Sequence, residues 1–451
     1  MTLGSSLKTI ETIQSQIRQG SLSVTQSVQE ALARIHDPAG QGSSSFIAVF
    51  DEPALNIAAQ QDQQLAQGKA LLKLTGVTVS IKDLFDTQGD TTTSGSLVLR
   101  QHPPAKQDAQ VIERLQKAGA IAIGRTNMTE FAYSGLGLNP HYGTPLNPFE
   151  RDIGRIPGGS TSGGVISVTD GMATIAMGSD TGGSCRIPAA LCGVVGFKST
   201  AARYSQEGVL PLSRSLDSIG FLAQTVACCI AVDQVLAKEE FWQPVVSTEQ
   251  PMQIGVLQNI VLDGLDADVK TNFERSLNIL QAKGVHVHPV QSATINRVVE
   301  IQGQPRIVSA QAHAQFEEIL NTQSEQMDLR IASRIVKGKD VSSAIYIRTM
   351  QEREQLIHAW HKEFAGDAVW IMPTVPIIAP QLSELVQDDE YFRINALMLR
   401  NPGLFNFLDG CAISIPNHQP GQAPTGVMLV APAGHDQQLL EIAKIIENHL
   451  A

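Results

Sequence analysis

The chain has 451 residues, 43% of them hydrophobic, with a net charge of −11 and a pI near 5.5. That balance excludes a general nucleic-acid surface, which needs clustered Lys and Arg, and favours solubility without bearing on fold. Five cysteines, adjacent Cys228 and Cys229 among them, form no framework of spacings and read as reduced, buried residues.

The opening MTLGSSLKTI has no apolar core of signal-peptide length, and no apolar run reaches membrane-spanning length, so the cytoplasm is the expected location. Leu7, Ile10, Ile13 and Ile17 recur at helical spacing, with Gly20 as the stop. Ser23 with Gln26 three positions on has the pattern of a capping box opening a second helix. Residues 46–50 read as a strand and 54–67 as a helix ended by Gly68. Gly76 to Ile81 alternates with β-branched residues and predicts a strand, and Lys82 follows it directly. Asp108 is expected to cap a helix through Lys117, closed by Gly119; a strand at 120–124 and a short helix or turn from Asn127 to Ser134 come next.

Further on, 193–197 reads as a strand and 223–236 as an apolar helix. From Pro251 the texture changes: a strand, a helix near 266–283, a strand at 285–290, then Gln/Glu/Arg-rich helical sequence to about 364. His286 and His288 fall on one face of that strand, but no third ligand accompanies them, so they read as surface residues. Three buried strands (VWIMPT, CAISIP, GVMLVAP) and a helix from His435 to His449 complete the chain, and no internal repeat is visible. Length alone favours about three domains. The alternation of strand and helix signals on both sides of a mid-chain motif instead predicts one α/β domain over 1–451, a mixed central β-sheet covered by helices on both faces, with no metal and no organic cofactor.

That motif runs from Gly158 to Pro188, GGSTSGGVISVTDGMATIAMGSDTGGSCRIP. Two Gly/Ser-rich loops flank an apolar segment, so hydroxyls and bare backbone N–H groups converge on something small. A linker would not continue into apolar residues with an interleaved Asp180 and Arg186. Neither phosphate-loop pattern occurs: Gly135-Leu136-Gly137 lacks its third glycine, with Pro140 in that place. The nucleophile elbow G-x-S-x-G is absent around both Ser160 and Ser184.

The stretch does resemble the amidase signature. The pattern is carried by Gly158-Gly159-Ser160-Thr161-Ser162-Gly163-Gly164 and by Gly178 to Pro188, with Ser160 and Ser184 separated by 24 positions. Lys82, in Gly76-Val77-Thr78-Val79-Ser80-Ile81-Lys82-Asp83, stands where that family has its strand-end lysine. The likeness extends through Gly124 to Phe131, Tyr142-Gly143-Thr144, Asn147-Pro148, Pro211-Leu212-Ser213 and Ser215-Leu216-Asp217, with weaker echoes near Pro373 and Pro416. It makes 76–220 the signature core of an amidase-signature fold and 251–365 the variable part that shapes substrate choice. It also implies a Ser-Ser-Lys triad of Ser184, Ser160 and Lys82, with Ala132 and Tyr133, just after the Thr126-Asn127 dipeptide, as substrate-pocket residues. For Tyr133 a half-buried core tyrosine is an equal alternative. In the family a cis peptide precedes the middle serine.

Chemistry asks for the same parts. Amide hydrolysis needs an activated nucleophile, a proton shuttle and donors for the oxyanion. Ser184 ends the Thr181-Gly182-Gly183 run, whose N–H groups can form an oxyanion nest. Lys82 must be neutral to accept a proton, so burial should lower its pKa. Asp180 and Arg186 are expected to pair and brace the loop. Asp83 and Asp86 read as structural carboxylates, and Cys185 as a poor alternative nucleophile. The leading expectation is therefore a stand-alone, cytoplasmic amidase acting on a small-molecule carboxamide, with no nucleic acid or membrane as partner and a homodimer compatible with it. The glutaminase subunit of a tRNA-dependent amidotransferase is the second reading, and a catalytically inactive scaffold the third.

Overall fold

A computed structural model describes residues 7–237, 252–303 and 306–451; Pro251, where the texture changes, lies outside them. Among the described residues, eleven strands form one mixed sheet: β1 (Phe46–Val49), β2 (Thr78–Lys82), β3 (Ile121–Thr126), β4 (Ile175–Asp180), β5 (Val195–Lys198), β6 (Ser218–Ala223), β7 (Gln253–Leu257), β8 (His286–Val290), β9 (Val369–Pro373), β10 (Cys411–Pro416) and β11 (Gly426–Ala431). Their spatial order is β1-β3-β2-β4-β6-β5-β10-β11-β9-β7-β8. β2 runs parallel to β3 and β4, and β7 parallel to β8 and β9; the other neighbours are antiparallel. Helices cover both faces. β4, β9 and β11 are buried at every residue, which is why β9 and β11 read as continuous apolar runs rather than alternating ones.

Local chemistry explains most boundaries. The Ser23–Gln26 capping box forms and opens the helix Val24–Ile35. Gly20 and Gly68, at φ +70° and +80°, follow the helices Ile10–Arg18 and Asp51–Ala66. Asp108 does not cap its helix. Gln110–Lys117 starts from Ala109 without a side-chain cap, and Asp108 Oδ1 accepts instead from Gln88 N at 2.8 Å. The apolar run 218–223 is strand β6, and the helix begins only at Val226, where Thr225 Oγ1 accepts from Cys228 N. So short an apolar run carries no period to separate a buried strand from a helix start. His288 Nε2 lies 3.1 Å from Asp367 Oδ1, and the described residues contain no group of three potential metal ligands.

Residues 375–410, to which the sequence pattern assigns nothing, contain the helix Asp388–Phe407, which carries Pro402 inside it. An interior proline argues against a helix, so this element is hidden from a pattern search. In β2 and β4 the register Val79↔Ile175, Ser80↔Ala176, Ile81↔Met177 brings the carboxyl ends of two parallel strands to one edge. Ligands of open α/β sheets bind beyond such ends, and Lys82 and Asp180 are the last residues of these two strands.

Candidate active site

Lys82 is fully buried at the end of β2, and its Nζ donates to Ser160 Oγ at 2.8 Å, Ser179 Oγ at 3.0 Å and Ser179 O at 3.3 Å. Burial penalises the ammonium and lowers its pKa from 10.5 to about 8, against the opposing fields of Cys185, Asp180 and Asp217. Ser160 follows a cis peptide bond from Gly159. Its loop is pinned by Gly159 N donating to Gly135 O (2.8 Å) and Thr129 N to Ser160 O (3.1 Å). The next helix, Ser162–Thr169, packs so close to the chain that a Cβ on Gly163 would stand 2.2 Å from Ser45 O. Ser167 Oγ and Ser80 Oγ, 2.8 Å apart, tie that helix to β2.

The second loop leaves β4 at Asp180. Arg186 grips that carboxylate with both sides of its guanidinium, Nη2 to Oδ1 at 2.8 Å and Nε to Oδ2 at 3.0 Å, both residues being fully buried. Burial alone would raise the Asp180 pKa; Arg186, Lys198 and Asn406 overcome it and hold the carboxyl well below the usual range. The same carboxylate accepts from Gly183 N (2.7 Å) and Cys185 N (3.1 Å), which curls the loop around it. Gly183 sits at φ +127°, and a Cβ there would lie 2.6 Å from Pro402 Cγ and 2.7 Å from Ile187 Cδ1. Thr161 N donates to Ser184 O at 3.3 Å, so the two Gly/Ser loops touch where Thr161, the residue after Ser160, meets Ser184.

Ser184 lines a cavity of about 540 Å³ together with Thr181, Gly182, Ala132 and Tyr133. The N–H of Gly183, expected among the oxyanion donors, is already given to Asp180, which leaves Thr181 and Gly182 as the members of that run on the cavity wall. Tyr133 is 6% exposed, and its OH lies 3.2 Å from Ser309 Oγ. Cys185 is fully buried, and burial pushes its thiol up to about 12, with Asp180 adding to the effect. Asp83 is buried under Arg125 and bonded to Gly95 N (2.9 Å); Asp86 accepts from Thr92 Oγ1 at 2.7 Å. Both carboxylates thus have structural partners of their own.

Residues 26–440 match the family model described as Amidase. The chain belongs to the amidase family. It is 31% identical over 398 residues to 2-amino-5-chloromuconic acid deaminase of Comamonas testosteroni, covering 87% of this chain and 86% of the relative. It is also 31% identical over 467 residues to one subunit of the glutamyl-tRNA(Gln) amidotransferase of Chlamydia pneumoniae, covering 95% and 93%. A crystal structure of an amidase superposes with a TM-score of 0.88 at 29% identity, over 98% of this chain and 100% of that one. Membership makes the chain an amidase-family hydrolase of carbon–nitrogen bonds. Among the described residues, no helix is long and apolar enough to cross a membrane.

Four further residues shape this amidase site beside the three expected to form the triad. Ser179 supplies two of the acceptors around Lys82 Nζ. Asp217 accepts from Thr181 Oγ1 (2.5 Å), Ser213 N (2.9 Å) and Leu212 N (3.0 Å), and burial raises its pKa to about 6. Asn395 Oδ1 accepts from Ser134 Oγ and Gly135 N (2.9 and 2.8 Å), and Asn406 is bonded to both Asp180 and Arg186. Ser179, inside the Gly178–Pro188 stretch, and Asp217, the last residue of the Ser215-Leu216-Asp217 motif, had a signal in the sequence; Asn395 and Asn406 had none.

Proposed function

We propose that the protein hydrolyses a small-molecule carboxamide to a carboxylate and ammonia or an amine, through an acyl-enzyme on Ser184. The observation that carries this reading is the 2.8 Å contact between Lys82 Nζ and Ser160 Oγ in a fully buried setting, where the lysine titrates near 8. Neutral Lys82 takes the Ser160 proton while the Ser160 oxygen takes that of Ser184, and Ser184 Oγ attacks the amide carbon. The N–H groups of Thr181 and Gly182, two residues of the cavity wall, are the proposed donors to the oxyanion. The proton returns through Ser160 to the departing nitrogen, which leaves only once protonated. Water then repeats the sequence on the acyl ester and frees Ser184. Asp180 and Arg186 hold the loop, and Ala132 and Tyr133 line the pocket.

Hydroxylamine supplied during turnover should divert the acyl group to a hydroxamate, and a fluorophosphonate should add one phosphonyl group to the peptide containing Ser184. Ser184→Ala should lose both. Label on Ser160 or Cys185 instead would overturn the assignment of the nucleophile, and no label with no turnover would favour an inactive scaffold.

A further inference from the structure

The wall of the cavity over Ser184 carries four basic side chains, Arg306, Arg334, Lys337 and Arg400, and no Asp or Glu among its described residues. Arg334, on the helix Leu329–Val336, stacks its guanidinium 4.3 Å from the ring centroid of the pocket residue Tyr133. Its Nε is buried with no hydrogen-bond partner among the described residues. Lys337, the residue just past the end of that helix, places Nζ 5.6 Å from the Phe392 ring centroid. Arg400 donates to the carbonyls of Asp263 and Val261. Like charges at i,i+3 repel, and a half-buried guanidinium with an unused edge is matched geometrically by a carboxylate. A ligand ammonium would enter the same cavity against these cations, with no carboxylate on the wall to receive it.

We propose that the cavity selects amides whose acyl part carries a carboxylate and no ammonium group, that is, monoamides of dicarboxylic acids, with Arg334 and Lys337 gripping the distal carboxylate. The proposal rests on Ser184 being the nucleophile at the other end of the bound amide. It separates this substrate class from both neutral amides and amino-acid amides, because Arg334, Lys337 and Arg400 on a wall with no described acid favour the anion over the neutral molecule and over the zwitterion.

The test uses the full chain and three probes of one backbone: glutaramate, its methyl ester and L-glutamine. Glutaramate should be hydrolysed with a kcat/KM roughly tenfold to a hundredfold above either of the others, the range expected for a charge-assisted contact. Lys337→Met and Arg334→Gln should each lower the acid-to-ester ratio, mainly through KM, and Arg334→Lys should recover part of it. The ratio is internal to each variant, so partial misfolding does not imitate the effect. Glutarate should also slow phosphonylation of Ser184 in the wild-type chain, where uncharged glutaramide does not, a readout that needs no turnover. Equal rates for acid and ester, preference for L-glutamine, or equal protection by glutarate and glutaramide would overturn the proposal while leaving the Ser184 amidase reading intact. A chain that never labels at Ser184 would overturn both.

Discussion

Lys82 is the residue on which the proposed chemistry turns, since a cation in its place could not accept a proton. Lys82→Ala and Ser160→Ala should each lower kcat by about 10²–10⁴-fold, the usual worth of positioned proton transfer, while leaving the fold intact; near-normal turnover in either would remove the relay. Activity should rise with pH through about 8, the pKa that burial imposes on this lysine. Linkage gives a second, independent sign. The folded pKa lies below the unfolded 10.5, so the unfolded chain binds more protons between about 8 and 10.5, and this group adds stability as pH rises across that window. Melting curves of wild type and Lys82→Met between pH 7 and 10 should therefore diverge in that direction. A pH profile with its limb in the acid range would point to a carboxylate base. The three positions of the proposed triad are legible in the sequence because each sits in a contiguous Gly/Ser or strand-end motif. Asn395 and Asn406 are not, because isolated Asn residues are mostly on the surface, and only tertiary contact reveals that these are buried and bonded inward.

At the scale of elements, the loop from Asp180 to Arg186 is shaped by one buried ion pair and one glycine. A buried charge pair is specific in geometry, and leaving one partner unpaired costs about 3–5 kcal/mol. Gly183 meets the same loop from the other side, where φ +127° and the nearness of Pro402 and Ile187 exclude a Cβ. Gly183→Ala should lower both melting temperature and the rate of Ser184 phosphonylation; an alanine variant with wild-type labelling would show that the loop tolerates a different path. The run Thr181-Gly182-Gly183 marks the loop in sequence, but the direction of each N–H does not appear there. Gly183 turns its N–H to Asp180 because the carboxylate sits inside the curl, a fact of three-dimensional closure. The same limit explains β6 and the uncapped helix at Ala109: burial on both sides erases the periodicity of the strand, and an alternative donor, Gln88 N, draws Asp108 away from capping.

At the scale of the whole molecule, the signature segment is completed by residues more than two hundred positions away. β5 hydrogen-bonds to β10, so the sheet of the signature core continues directly into the C-terminal strands. The helix Asp388–Phe407 then returns across the site. Asn406 Nδ2 donates to Asp180 O (2.8 Å) and Oδ1 (2.9 Å), its Oδ1 accepts from Arg186 Nη2 (2.6 Å), and Pro402 O accepts from Arg186 Nη1 (3.0 Å). This coupling predicts that a change in a helix with no motif of its own alters the loop that carries Ser184. Asn406→Ala leaves buried polar groups of Asp180 and Arg186 short of a partner, at a cost of about 1–3 kcal/mol. It should lower the melting temperature, and it should slow phosphonylation of Ser184 relative to a control of equal stability cost placed in the N-terminal helices, such as Ile13→Val. The control matters because Ile13 is a buried residue of the helix Ile10–Arg18 and makes no hydrogen bond to the loop from Asp180 to Arg186. If the two variants lose stability alike and label alike, the helix supports the fold without positioning the loop, and the link from Asn406 through Asp180 to Ser184 is broken.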